Sequence, residues 1–231
     1  METFDRRYIL RTSLLSFTYL CGVLPKLVAR SQAADRILEW NAFTDLLELT
    51  AHEFHLKYTT SEIHVRTVEQ LLRRLNLATP RLAHIPVEQS NVTYPYPEFK
   101  DLMRSTEVQV SLLSFSAGER IPHHNHPSMT GVMTCVRGQL TVDSYDYVDR
   151  LSEEEWIIRA LPRSLLQPGE TSTLTEKDRN IHQVAAPTAA QIIDIFSPPY
   201  DAERTTSMRW FKLRSSRAHR ADPHLFIAEA Y

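Results

Sequence analysis

Between residues 107 and 213 the sequence breaks into short runs of β type, and no other feature limits the fold as tightly. The runs are EVQVSLLSF (107–115), GVMTCV (131–136), QLTVDSYDYV (139–148), EEWIIRAL (154–161), TSTLTE (171–176), AAQIIDIF (189–196) and MRWFKL (208–213). Pro, Gly, Ser and Asp separate them, and the first alternates apolar with polar residues, the period of a half-buried strand. Many short strands at this spacing point to a sandwich or barrel rather than a βαβ fold. Residues 162–169 and 215–223 read as surface connections, the second carrying His219, with His224 just beyond it.

Upstream the period is helical. Ile37, Trp40, Phe43 and Leu47 recur at spacings of three and four, one buried face of a helix with Asp35 as its N-cap. A second helix starts near Thr60 and Ser61, with Val65, Val68, Leu71, Leu72 and Leu75 on one side. His52, His55 and His64 fall in these helices and read as surface or boundary residues. Residues 6–34 carry five basic side chains and no acidic one. Their apolar stretch SLLSFTYLCGVL (13–24) is too short to span a bilayer. It reads as a helix packed on the domain, an Arg- and Ser-rich mitochondrial presequence, or a secretory signal. No integral membrane span is expected. A net charge of -2 gives no reason to expect nucleic acid as a partner. The two cysteines, Cys21 in a helical pattern and Cys135 in a strand, do not form a disulfide framework. A reducing compartment, the cytoplasm, suits them, with mitochondria as the alternative.

The chemistry concentrates in GERIPHHNHPSMTG (118–131), where three of the chain's ten histidines fall within four positions. In an extended strand residues i and i+2 face the same way. His124 and His126 can therefore reach one metal ion, while His123 points to the opposite face. Gly118, Gly131 and Gly138, three of only five glycines, surround the cluster and mark a backbone that turns sharply or approaches something closely.

The placing of Gly118 and Gly138 around His124 and His126 resembles the first motif of the cupins, small β-barrels that hold a metal with a His-x-His pair, a glutamate and a glycine. The glutamate is missing: Thr130 and Gly131 stand where it is expected. A cupin without that carboxylate resembles the thiol dioxygenases. Among them the chain is most similar to the cysteamine (2-aminoethanethiol) dioxygenase and plant cysteine oxidase family. The resemblance rests on Ile121-Pro122, His124-Asn125-His126-Pro127, Met129, Gly138 and Ser144-Tyr145-Asp146-Tyr147. A distant second motif agrees, with Asn180-Ile181-His182, then Asp194 and Pro198-Pro199-Tyr200-Asp201. The likeness covers roughly residues 65–213. It departs at Ser128, where a glycine is usual, and at residues 205–211, where the family tends to show Gly-Arg and then a cysteine before an aromatic run. A role for a cysteine there is excluded.

The resemblance implies a mainly β fold, a cupin (double-stranded β-helix) barrel over residues 61–231 with an N-terminal helical extension over 1–60. It implies Fe(II) held by His124, His126 and His182. Neutral imidazole in place of a carboxylate leaves the ion its full positive charge, which favours an incoming thiolate. The implied reaction adds both atoms of O2 to a thiol, giving the sulfinic acid. The implied substrates are cysteamine and polypeptides that begin with cysteine, the second making the enzyme an oxygen sensor in N-degron proteolysis. A monomer is expected. Asp194, between apolar neighbours, would orient a ligand histidine, receive the substrate amine, or make a structural hydrogen bond. Tyr200, after two prolines, would aim its hydroxyl at thiolate or oxygen, or simply pack. Cys135 reads as a small core residue. Two alternatives stay open: a metal-binding cupin without catalysis, and a cupin enzyme of other chemistry, such as an isomerase.

Overall fold

The structure, a computed structural model, describes residues 37–79, 82, 97–215 and 222–231. Asp35, Cys21, His219 and the basic apolar stretch lie outside the described residues.

Among the described residues twelve strands follow two helices. The helices are α1 (Trp40–His55) and α2 (Ser61–Arg74). The strands are β1 (Glu98–Arg104), β2 (Gln109–Phe115), β3 (Arg120–Asn125), β4 (Thr130–Arg137), β5 (Leu140–Arg150) and β6 (Glu155–Ala160). Then come β7 (Ser164–Leu166), β8 (Thr171–Leu174), β9 (Ile181–Ala185), β10 (Ala190–Ser197), β11 (Phe211–Ser215) and β12 (Leu225–Ala230), with a short helix α3 (Ala202–Ser207) before β11. A five-stranded sheet runs β1-β2-β10-β4-β8, and a seven-stranded one runs β11-β12-β6-β5-β9-β3 with β7 paired to β5. The pairings are antiparallel, as a barrel joined by short turns requires.

The helices explain why the central strands read as nearly continuous apolar runs. On β2, Val110 and Leu112 face a core shared with Phe43 and Leu47 of α1 and Val68 and Leu72 of α2. The alternate residues Leu113 and Phe115 belong to the core between the sheets. On β10, Ile193 and Ile195 face the helices while Ile192 faces the barrel. Both faces of this sheet are thus covered, so the solvent side of the alternation disappears. Helix α2 forms where its capping residue sits, because the Thr60 side chain accepts the Ile63 amide hydrogen. Among the described residues no helix is long and apolar enough to cross a membrane.

Several expectations need correction. Helix α1 begins at Trp40, with Glu39 as an N-cap that makes no side-chain bond. Ile37 is 73% exposed and stands before the helix, and it is Leu38 that is buried, bridging to Leu75. His64 is buried and stacks on Phe54, with ring centroids 4.4 Å apart. His52 and His55 do lie at the surface and boundary, where both meet the Glu107 carboxylate of the β1–β2 turn. Within residues 162–169 lies β7, which adds to the β5 edge. Gly138, in the β4–β5 turn, has φ +73, and a Cβ there would stand 2.1 Å from the Ala189 carbonyl oxygen. Only glycine satisfies both demands.

Candidate metal centre

His124 and His182 are direct cross-strand partners on β3 and β9. His126 follows the end of β3, where the chain is held in place by Asn180. That amide accepts from the His126 N–H and donates to its carbonyl, each at 3.0 Å, and donates also to the Thr175 carbonyl. Asn125 ties the same strand end to Arg209 and to the Tyr147 hydroxyl. The three imidazoles then point into one buried space. His182 Nε2 lies 3.0 Å from His126 Nε2 and 3.3 Å from His124 Nε2. With metal–nitrogen bonds of about 2.1 Å, two imidazoles at right angles sit about 3.0 Å apart, and two at the tetrahedral angle about 3.4 Å. The observed separations match ligands sharing one ion.

The protonation chemistry agrees. His124 donates its Nδ1–H to the Pro122 carbonyl at 2.7 Å, which leaves Nε2 a lone pair facing inward. Burial lowers the His124 pKa to about 4. Burial and the neighbouring imidazoles hold those of His126 and His182 well below the usual histidine range. Three neutral imidazoles with converging nitrogens are a donor set for a cation. Among the described residues they are the group of His, Cys, Asp or Glu side chains with metal-binding proximity, and no carboxylate joins them. At the positions where the missing glutamate is expected, Thr130 donates its hydroxyl hydrogen to the Ser197 carbonyl. A Cβ on Gly131 would stand 2.7 Å from the Phe196 ring. That ring stacks on His126 at 4.5 Å and fills the space an acidic side chain would need. His123 faces away, its Nε2 3.3 Å from the Tyr145 hydroxyl.

The imidazoles line a cavity of about 420 Å³. Leu113, Ile121, Met133, Val184, Ile192 and Phe196 make most of its wall, with Phe99, Met208 and Trp210 also on it. Its polar side is one row across three strands: Asp194 on β10 pairs with Ser111 on β2, which pairs with Asp101 on β1. Asp194 has its Oδ1 buried with no partner, and burial raises its pKa to about 7 against a bond from the Ile195 amide. Asp101 is held ionised by hydrogen bonds from Ser111 and Gln109, which outweigh its partial burial together with Arg104. The lining contains these two carboxylates and no lysine or arginine.

Tyr200 lines the cavity with its hydroxyl turned to the outer nitrogen of His126. Its hydroxyl is 2.5 Å from His126 Nδ1. Burial, and then the charge of Asp194, raise its pKa well above the usual tyrosine value, so it remains a phenol. Cys135 is fully buried, and burial raises its thiol to about 11. Phe196, Trp210 and Gln109 were not singled out in the sequence. Phe196 and Trp210 look like core aromatics in β runs. Gln109 and Ser111 do leave a signal, two polar residues at i and i+2 on one face of a strand rich in Val and Leu.

Two antiparallel sheets closing on a pocket of histidines from adjacent strands define a cupin whose interior is compatible with a metal ion. The chain belongs to the PCO_ADO family, whose model matches residues 57–228. It is 23% identical over 143 residues to a probable 2-aminoethanethiol dioxygenase of Dictyostelium discoideum, covering 60% of this chain and 64% of that protein. It is 33% identical over 85 residues to plant cysteine oxidase 2 of Arabidopsis thaliana, covering 35% of this chain and 31% of that protein. The matched region thus spans less than two thirds of either relative. Among solved structures, KdgF from Halomonas sp. aligns with a TM-score of 0.38 at 18% identity, covering 48% of this chain and 87% of that one.

Proposed function

We propose that this protein is a non-haem Fe(II) thiol dioxygenase that converts cysteamine, or the N-terminal cysteine of a polypeptide, into the sulfinic acid. The observation that carries the reading is the convergence of His124, His126 and His182 without a carboxylate beside them. In the balanced reaction R–SH and O2 give R–SO2H: the O–O and S–H bonds break, two S–O bonds form, the thiol proton passes to a sulfinate oxygen or to solvent, and sulfur is oxidised as oxygen is reduced. Bound by the three imidazoles, Fe(II) would supply the redox-active, Lewis-acidic centre at which thiolate and O2 meet.

The chain's own residues do the rest. Asp194 offers an unpartnered oxygen on the cavity wall to a substrate ammonium. The ammonium would in turn favour the ionised carboxylate. Tyr200 and Phe196 fix the plane of His126. The apolar wall excludes water from the reacting groups. A free α-carboxylate would meet Asp101 and Asp194 and no lysine or arginine of the lining, which favours thiols that lack one. Cysteamine and a peptide-linked cysteine both do. With a polypeptide as substrate, the sulfinylated N-terminus would mark it for oxygen-dependent degradation. The cytoplasm is the proposed location.

The test is His182→Ala. It is expected to abolish both Fe(II) retention and thiol-dependent oxygen uptake. Iron retention and oxygen uptake equal to the unmodified protein would show that the third ligand is misassigned.

A further inference from the structure

We propose that Gln109 is a positioning residue for the metal centre: its amide fixes the main chain of Tyr200, and through it the hydroxyl that holds His126. The inference rests on the reading of the three histidines as metal ligands.

Gln109 opens β2 and is buried. Both ends of its amide are committed. Its Oε1 accepts the Tyr200 amide hydrogen at 3.2 Å, and its Nε2 donates to Asp101 Oδ1 at 2.9 Å. Asp101 is ionised and can only accept, so it dictates which way the Gln109 amide is turned. The carboxylate is itself held by the Ser111 hydroxyl at 2.8 Å. Arg104 completes the grip by donating to the Tyr200 carbonyl. The backbone of Tyr200 is therefore held at both its N–H and its C=O, directly after Pro198 and Pro199, whose rings restrict φ.

At the other end of the side chain, the Tyr200 hydroxyl meets His126 Nδ1 at 2.5 Å. That bond sets the rotation of the imidazole and directs Nε2 toward His182. Hydrogen bonds weaken steeply with distance and angle, so a shift of Tyr200 by a fraction of a bond length loosens His126. The route runs Asp101, Gln109, Tyr200, His126, each step a hydrogen bond. None of the first three touches the reacting atoms through this route. The chain of bonds joins the β1–β2 hairpin on one sheet to a ligand carried by the other.

The experiment measures Co(II) affinity of the metal-free protein by competition with a chromogenic chelator, alongside melting curves. The variants are Tyr200→Phe, Gln109→Leu, the two combined, and the swap Asp101→Asn with Gln109→Glu. Tyr200→Phe is expected to weaken Co(II) binding about 10–100-fold. Gln109→Leu should weaken it similarly, and the combined variant should lose no more than Tyr200→Phe alone, because both cut one chain. The swap rebuilds the same bond with donor and acceptor exchanged, so it should bind Co(II) within about threefold of the unmodified protein, a range smaller than 1 kcal/mol. Unaltered affinity in Gln109→Leu, losses that multiply in the combined variant, or a swap as weak as Gln109→Leu would each overturn the proposal. Should Gln109→Leu fail to fold, the swap decides alone. His182→Ala provides the separate check: if it binds Co(II) normally, the three-histidine reading falls and this proposal with it, whereas a failed Gln109 arm alone leaves that reading standing.

Discussion

Ser128 occupies a left-handed backbone conformation, φ 56, in the turn after His126 and Pro127. Its Cβ makes that conformation costly by roughly 1 kcal/mol, and a glycine carries no such penalty. Ser128→Gly is expected to raise the melting temperature by about 2–4 °C, and an unchanged or lower value in calorimetry would contradict the strain argument. Asp194 gives a pH prediction. Burial raises its pKa from 3.8 to about 7. Its proton is then held more tightly in the folded state than in the unfolded chain. Stability from this group is greatest below about pH 4 and falls as pH rises toward about 7, where the folded form also ionises; above that the loss is constant. The full loss is on the order of 4 kcal/mol. Metal-free Asp194→Asn should therefore melt higher than the unmodified protein at pH 8, with the gap closing toward pH 4. A gap independent of pH would refute the assignment. At this scale the histidines were legible because spacing and a distant motif both pointed to them. Gln109 was not: its role depends on Tyr200, ninety-one positions away in sequence, meeting it in space.

The elements show the same division between local and distant information. Helix α2 was readable because a threonine cap and apolar spacing agreed within a few residues. The start of α1 was not, since Ile37 fits the helical spacing but is turned to solvent while Leu38 bridges to Leu75. Strand β1 escaped notice because an edge strand needs no apolar alternation; its residues are mostly exposed. Strands β7 and β12 exist through pairing with β5 and β6, which a single run cannot announce. The helical layer carries a stability prediction. Leu47 is fully buried between α2 and the five-stranded sheet. Leu47→Ala should cost about 2–5 kcal/mol in urea unfolding, while Co(II) affinity remains within about twofold, because the helices touch the face of the sheet opposite the cavity. A collapse of metal binding with little change in stability would argue that the helices shape the site directly.

Across the whole molecule, one sheet supplies the histidines and the other supplies the polar row that faces them. His124 and His182 come from neighbouring strands of the seven-stranded sheet, with His126 just beyond it, and Asp194, Ser111 and Asp101 come from the five-stranded sheet. The cavity between them is mostly apolar, with that row, the imidazoles, Gln109, Tyr200 and Thr205 as its polar lining. Its 420 Å³ falls within the range of small-molecule sites, about 300–1,000 Å³, more than cysteamine needs and enough for the first residues of a peptide. The overall architecture could be read from the strand runs and motifs, whereas the shape and charge of this space arise only when the two sheets face each other. The most direct measurement incubates the Fe(II)-loaded protein under 18O2 with cysteamine, free cysteine and a peptide beginning with cysteine, and weighs the products. The account predicts a sulfinic acid carrying two labelled oxygen atoms from cysteamine, the peptide or both, with little or none from free cysteine. A product with one labelled oxygen, or disulfide alone from every thiol, would contradict it.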